Sequence, residues 1–318
     1  MLCFDKLKIT TSIDYIKDIN MTVFKKKSIG DVTVETCEYK QTSPYSLLIR
    51  VDYLKNELVI EFTSKILLDN CIQLININNI NECFNNINKL NICRLDINNI
   101  VNNSEVVKSD VTVDKPFYGA FQELKRHTIS HISNHNKWIC KSYQQGGLVV
   151  EKTVSTTRYK NRLCIYPKEK ELKKCTKKVF LEHLSNKEQV LSYFKDKVRI
   201  ELNINSKAQI RSLLGIEDTK LLNVLQASAN PILTVIDEAI RKETTNTYCS
   251  TTIKERFCEL MLIACGWDLR QLEAELRILY AKSTQITKIM KPYIALYNKR
   301  NNVASLENSS LRALVMQS

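Results

Sequence analysis

The sequence predicts an α+β fold: an antiparallel-sheet domain over residues 1–205, followed by a helical domain over 206–318. Three observations predict it. Short alternating or apolar runs bounded by polar turns recur through the first two hundred residues. A helical period takes over after Ser206. A length of 318 residues with 44% hydrophobic content is enough for one large or two ordinary domains with real cores.

The elements follow in order. "MLCFDKLKIT" (1–10) alternates weakly, and "GDVTVETCEYK" (30–40) reads as a strand. "YSLLIRVDYLKNELVIEFTS" (45–64) reads as a hairpin turning near Lys55 and Asn56. The Asn/Ile-rich stretch 71–103 is compositionally biased, so its alternation is a poor guide to structure. Further strands are expected at 92–97 ("ICRLDI"), 147–156, 161–166 ("NRLCIY") and 198–204 ("VRIELNI"), with helical patterns around 77–90, 116–137 and 186–196. Beyond the expected boundary near 205, "SKAQIRSLLGI" is a helix capped by Gly215. "LLNVLQASANPILTVIDEAIRK" is a helix kinked at its proline. Threonine caps open the helix that ends at Gly266, Asp268 opens the next, and 300–318 is a fraying tail.

A formal net charge of +13 and a pI of about 9.1 point to a polyanionic partner, most simply nucleic acid. Only 6 glycines and 5 prolines leave no Gly-rich phosphate loop, which sets aside Walker-type NTPases and dinucleotide-binding folds. The 11 cysteines are scattered, without a CxxC pair, and read as reduced thiols of a cytoplasmic protein. No secretory leader is legible in Met1–Thr10, and the longest apolar run, near Leu260–Trp267, is too short to span a bilayer.

Strand periodicity places chemistry on one face. With Leu58, Ile60 and Phe62 facing the core, Glu61 faces away. The same argument turns Arg94 and Asp96, Arg199 and Glu201, and Arg162 and Tyr166 to the non-core side. Acidic residues converging with arginines and a tyrosine suit a site for Mg²⁺ or Mn²⁺ and a phosphate, with Glu61, Asp96 and Glu201 as the ligands. Tyr166 is then a candidate nucleophile. A phenol of ordinary pKa near 10 needs help to ionise, from a cation at the phosphate or from Lys168 beside it. Downstream, "KEKELKKCTKK" (168–178) holds six lysines. As one helix it would carry Lys170, Lys173, Lys174 and Lys177 as a stripe for DNA phosphates.

"YKNRLCIYPKEKEL" (159–172) resembles the catalytic segment of the filamentous-phage gene II/X family of rolling-circle replication initiators. The matching positions are Tyr166, Lys168, Glu171 and Leu172. "LSNKEQVLSYFKDKVRIELNI" (184–204), "CRLDI" (93–97), "LVIEFTSKIL" (58–67) and "MLCFDKLKI" (1–9) resemble further segments of the family in the same order, over roughly residues 1–215. The resemblance implies a metal-dependent endonuclease and strand transferase. It implies that Tyr166 nicks one strand at a replication origin, becomes linked to the 5′ phosphate and later rejoins the strand. It also implies origin DNA as substrate, with a host helicase and polymerase as partners. The His-hydrophobic-His metal motif of the wider superfamily is absent, so carboxylates are the expected ligands.

Rival signals are weaker. His127, His131 and His135, with Cys140, have helical spacing for zinc but lack an acidic or second cysteine partner. Asp110 and Asp114 read as members of a surface strand, and Tyr159 as a candidate second tyrosine for rejoining. The alternative to the nicking enzyme is a non-catalytic nucleic-acid-binding protein of a phage or plasmid, acting through its basic surface alone.

Overall fold

A computed structural model describes residues 1–29, 32–132, 137–143, 146–153, 161–173, 175–240, 252–265, 269–279, 283–301 and 310–316. In chain order the strands and helices begin with β1 (Phe4–Ser12), β2 (Ile16–Lys17), β3 (Lys25–Ile29), β4 (Val32–Gln41), β5 (Leu47–Asp52) and β6 (Glu57–Thr63). Next come α1 (Ile80–Asn88), β7 (Arg94–Leu95), α2 (Ile97–Asn103), β8 (Glu105–Pro116), α3 (Phe121–His131), β9 (Trp138–Tyr143), β10 (Gly147–Lys152) and β11 (Arg162–Pro167). Then follow α4 (Lys168–Leu172), α5 (Cys175–Glu182), α6 (Lys187–Phe194), β12 (Lys197–Ile204), α7 (Lys207–Leu214), α8 (Leu221–Gln226) and α9 (Pro231–Ala239). The last are α10 (Ile253–Ala264), α11 (Leu269–Leu279), α12 (Ser283–Asn301) and α13 (Ser310–Met316).

The fold is α+β. Ten strands form one antiparallel sheet in the order β3-β4-β5-β6-β1-β8-β12-β11-β10-β9. Alternation gives it an apolar face on which Leu7, Ile9, Ile60, Phe62, Ile200 and Leu202 are fully buried. Burying each such side chain contributes about 1.5–3 kcal/mol. The opposite face is polar along the central strands, and this face carries the candidate site.

The chain divides into two compact units, Met1–Ile240 with Ser310–Ser318, and Arg241–Ser309. The expected boundary near 205 is therefore displaced. Helices α7 and α9 pack on β8 and β12, burying Ile210, Leu214, Ile232 and Ile236, so they belong to the sheet unit. The second unit holds α10, α11 and α12 around Leu262, Leu272, Ile286 and Met290.

Local capping explains several boundaries. Ser206 accepts from Gln209 N–H at the start of α7, and Gly215 closes that helix with φ +66°. Thr252 caps α10 through Glu255 N–H. The expected proline kink is a break between two helices. Pro231 lacks an N–H to donate and sits in the first turn of α9, where none is needed, with Asn230 as the cap. Gly266, Asp268, His135, Tyr159 and Lys174 lie outside the described residues.

Two strand expectations change. "ICRLDI" contributes only the two-residue β7, paired with β2 in a small separate sheet. The next residue, Asp96, caps α2, because its carboxylate accepts from Asn99 N–H. The strand of Asp110 and Asp114 is no surface strand: β8 runs for 12 residues between β1 and β12.

Candidate active site

Register assembles the site across four neighbouring strands. Tyr166 on β11 pairs with Arg199 on β12, and Arg199 pairs with Asp114 on β8. Two residues along, Cys164, Glu201 and Thr112 form the next row, followed by Arg162, Asn203 and Asp110. On β1 a register shift between Phe4 and Lys6 breaks the alternation. Such a bulge re-aims a side chain, and here it turns Asp5 onto the polar face beside Arg199.

The hydrogen bonds are specific. Tyr166 Oη donates to Glu201 Oε1 at 2.5 Å. Lys168, the first residue of α4, directs its Nζ to Tyr166 Oη at 3.4 Å and to Glu171 Oε2 at 2.9 Å. Arg199 donates two bonds of 2.7 Å to the Asp114 carboxylate and one of 2.9 Å to Asp5. Asp5 also accepts from Ser64 Oγ at 2.7 Å. The Arg199 guanidinium lies 5.1 Å from the Phe194 ring centroid on α6, which helps to cover it. Asn203 donates to Asp110 at 2.9 Å. Arg199 and Lys168 are buried, whereas Tyr166 and Glu201 keep partial exposure.

Burial sets the protonation states. It pushes the Tyr166 hydroxyl well above a phenol's usual range, and the Glu201 charge adds to this. Burial, then the Asp5 charge, pushes Glu201 up to about 7. Burial opposes ionisation of Asp5 as well, but Lys168 and Arg199 outweigh it and hold that carboxyl well below its usual range. Lys168 loses by burial and by proximity to Arg199, yet Asp5, Glu171 and Glu201 keep its pKa above that of an ordinary lysine. Burial likewise pushes Asp110 up to about 6. The result is a neutral tyrosine hydrogen-bonded to a carboxylate that changes charge near neutrality, with a permanent cation at the same oxygen.

Of the residues expected from the sequence, Tyr166, Lys168 and Glu201 come together. Glu61 does not join them. It is held by Lys6 and by Lys8 at 3.2 Å, and these lysines lower its pKa against the opposing effect of burial. Three strand spacings separate β6 from β12, roughly 14 Å. Asp96 is off the sheet, as a helix cap. Glu61, Asp96 and Glu201 thus do not converge, and each already has a protein partner, so this trio does not fit one metal ion. Among the described residues, no group of three or more His, Cys, Asp or Glu is arranged to hold a metal.

The expected DNA-contacting residues also separate. Arg199 is 1% exposed and engaged by Asp114 and Asp5, so it is an internal counter-ion. Arg94 is exposed but lies on β7, outside the large sheet. Arg162 keeps partial exposure on the polar face. The lysine stripe is interrupted, because α4 ends at Leu172 and α5 begins at Cys175. Lys170 is exposed on α4, Lys173 caps that helix and pairs with Glu169 at 2.5 Å, and Lys177 lies in α5.

Asp5 and Asp114 are the site residues that sequence reasoning missed. Asp114 was legible as an alternating residue of "SDVTVD", but only the sheet order makes its strand central. Asp5 had no signal, since a bulge is invisible to a period-two reading. Comparison of the chain with protein-family models gives no match, and comparison with curated proteins gives none.

Proposed function

We propose that the protein is a DNA-nicking and rejoining enzyme of the rolling-circle initiator type, with Tyr166 as nucleophile. The single observation that carries this is the 2.5 Å bond from Tyr166 Oη to Glu201, with Lys168 Nζ at 3.4 Å from the same oxygen. A tyrosine whose pKa is raised cannot attack as a standing phenolate. It needs a base in contact, and one titrating near 7 is matched to that task.

In the forward step Tyr166 Oη bonds to the phosphorus of a phosphodiester while its proton passes to Glu201. The bond from phosphorus to the 3′ oxygen breaks, and the 3′ oxygen leaves and takes up a proton from solvent. The product is a 5′-phosphotyrosyl linkage and a free 3′ hydroxyl, which would prime synthesis by a polymerase. Lys168, held cationic, stabilises charge developing on the tyrosine and phosphate oxygens. In rejoining, the oxygen of a 3′ hydroxyl bonds to phosphorus and gives its proton to solvent, the bond from phosphorus to Tyr166 Oη breaks, and Glu201 returns its proton to that oxygen. Mg²⁺ or Mn²⁺, when present, would neutralise phosphate charge. The attacking oxygen, the base that takes its proton and one stabilising cation are the chain's own groups.

The test is covalent capture. Wild-type protein, single-stranded DNA and Mg²⁺ or Mn²⁺ should yield an adduct that survives a denaturing gel, and Tyr166→Phe should yield none. A second reading is favoured by the full engagement of Arg199 and Lys168: the cluster is structural, and the basic protein only binds nucleic acid. Equal DNA binding by both proteins without any adduct would establish that reading instead.

A further inference from the structure

Beside the site, β8 outruns β1. Thr112 N–H still donates to the carbonyl of Cys3, just before β1, at 2.8 Å, and β8 continues to Pro116. The notch is a cavity of about 510 Å³, within the size range of small-molecule sites. Val111, Ile232 and the Tyr193 ring line it together with Asp114, while Gln73 and Ser228 are exposed members of its lining. The Asp114 carboxylate is occupied by its two bonds to Arg199. The cavity therefore offers apolar walls, one aromatic ring, neutral hydrogen-bonding groups and, in its lining, the cationic Lys115, a combination that suits a planar heterocycle carried on a phosphate backbone.

Its position relative to Tyr166 is fixed by register. Asp114, Arg199 and Tyr166 are partners on three consecutive strands, so Asp114, the lining residue on the tyrosine's face, is roughly 10 Å from Tyr166 across the sheet. With about 3.4 Å per stacked nucleotide, that is a distance of roughly three nucleotides or fewer.

We propose that this cavity receives one base of the single strand handled at Tyr166, and so reads sequence next to the nick. The proposal rests on the nicking reading for its biological use, but the binding it asserts is testable alone. Ala229→Trp and Ser228→Trp each place a bulky ring at the cavity, the second from an exposed position that the fold tolerates more easily.

Full-length protein is titrated with the four homopolymeric deoxyhexanucleotides and with the four free deoxynucleosides, using saturation-transfer NMR for the nucleosides and anisotropy for the oligomers. Wild type should prefer one base type. Both tryptophan variants, with melting temperatures near that of wild type, should lose that preference, weakening the favoured oligomer by roughly ten- to a hundredfold. Equal binding of all four bases by wild type, or an unchanged preference in Ser228→Trp, overturns the proposal. Adduct formation is scored separately. A base preference sensitive to Ser228→Trp without any adduct would remove the nicking chemistry and leave the base site standing.

Discussion

At the scale of single residues, the proposed chemistry turns on Glu201. Its carboxylate, pushed up to about 7 by burial and then by Asp5, accepts a proton only in its ionised form. Under the nicking function proposed above, the rate of single-turnover adduct formation by wild type should therefore rise with pH through about 7. Glu201→Gln removes the base and should lower that rate by about 10²- to 10⁴-fold, with the inflection near 7 gone. A variant that keeps the inflection would assign it to another group. Arg199 has a different role. It holds the partly exposed Asp5 and the enclosed Asp114 together through a buried guanidinium, and removing one partner of a buried ion network leaves the others uncompensated. Arg199→Met should cost about 3–5 kcal/mol in urea-induced unfolding. A loss below about 1 kcal/mol would mean that the two aspartates find other partners or protons.

At the scale of elements, the bulge in β1 and the junction of β11 with α4 build the site. The bulge delivers Asp5 to a face that regular alternation would deny it. At the junction, Pro167 ends the strand and Lys168 opens the helix, so the lysine folds back to within reach of the tyrosine two residues before it. Helix ends are set by local chemistry. Gly215 has φ +66°, and no heavy atom outside its chain neighbours lies within 4 Å of a Cβ built there. Gly215→Ala should therefore cost only the left-handed conformation, about 1–2 kcal/mol, read as a lower thermal midpoint with an unchanged circular dichroism spectrum. A larger loss would point to packing that the open surroundings do not contain.

At the scale of the whole molecule, a net charge of +13 should make association with nucleic acid steeply salt-dependent. Each phosphate neutralised on a single strand contributes a slope of about −0.7 to log K against log salt, so titration at several salt concentrations counts the contacts. A flat dependence would set aside the polyanion reading of the charge. Among the described residues, no helix is long and apolar enough to cross a membrane. Because α4 and α5 are separate helices, the predicted lysine stripe is not continuous, and phosphate contacts would be drawn from several elements.

Period-two alternation and local caps, by themselves, determined much of this protein. They placed the strands bearing Tyr166, Glu201 and Glu61, gave each the correct outward face, and located the ends of α7 and the start of α10. These features depend on neighbours within a few residues, where backbone geometry and hydrogen-bonding groups are written into the chain. Strand order was not legible. It brought Asp114 from a supposed surface strand to the centre of the sheet and kept Glu61 three strands away from Glu201, while the packing of α7 and α9 on the sheet placed the unit boundary past α9. Those outcomes depend on which faces bury each other across the fold, and that is decided by the sum of many distant contacts that no local pattern carries.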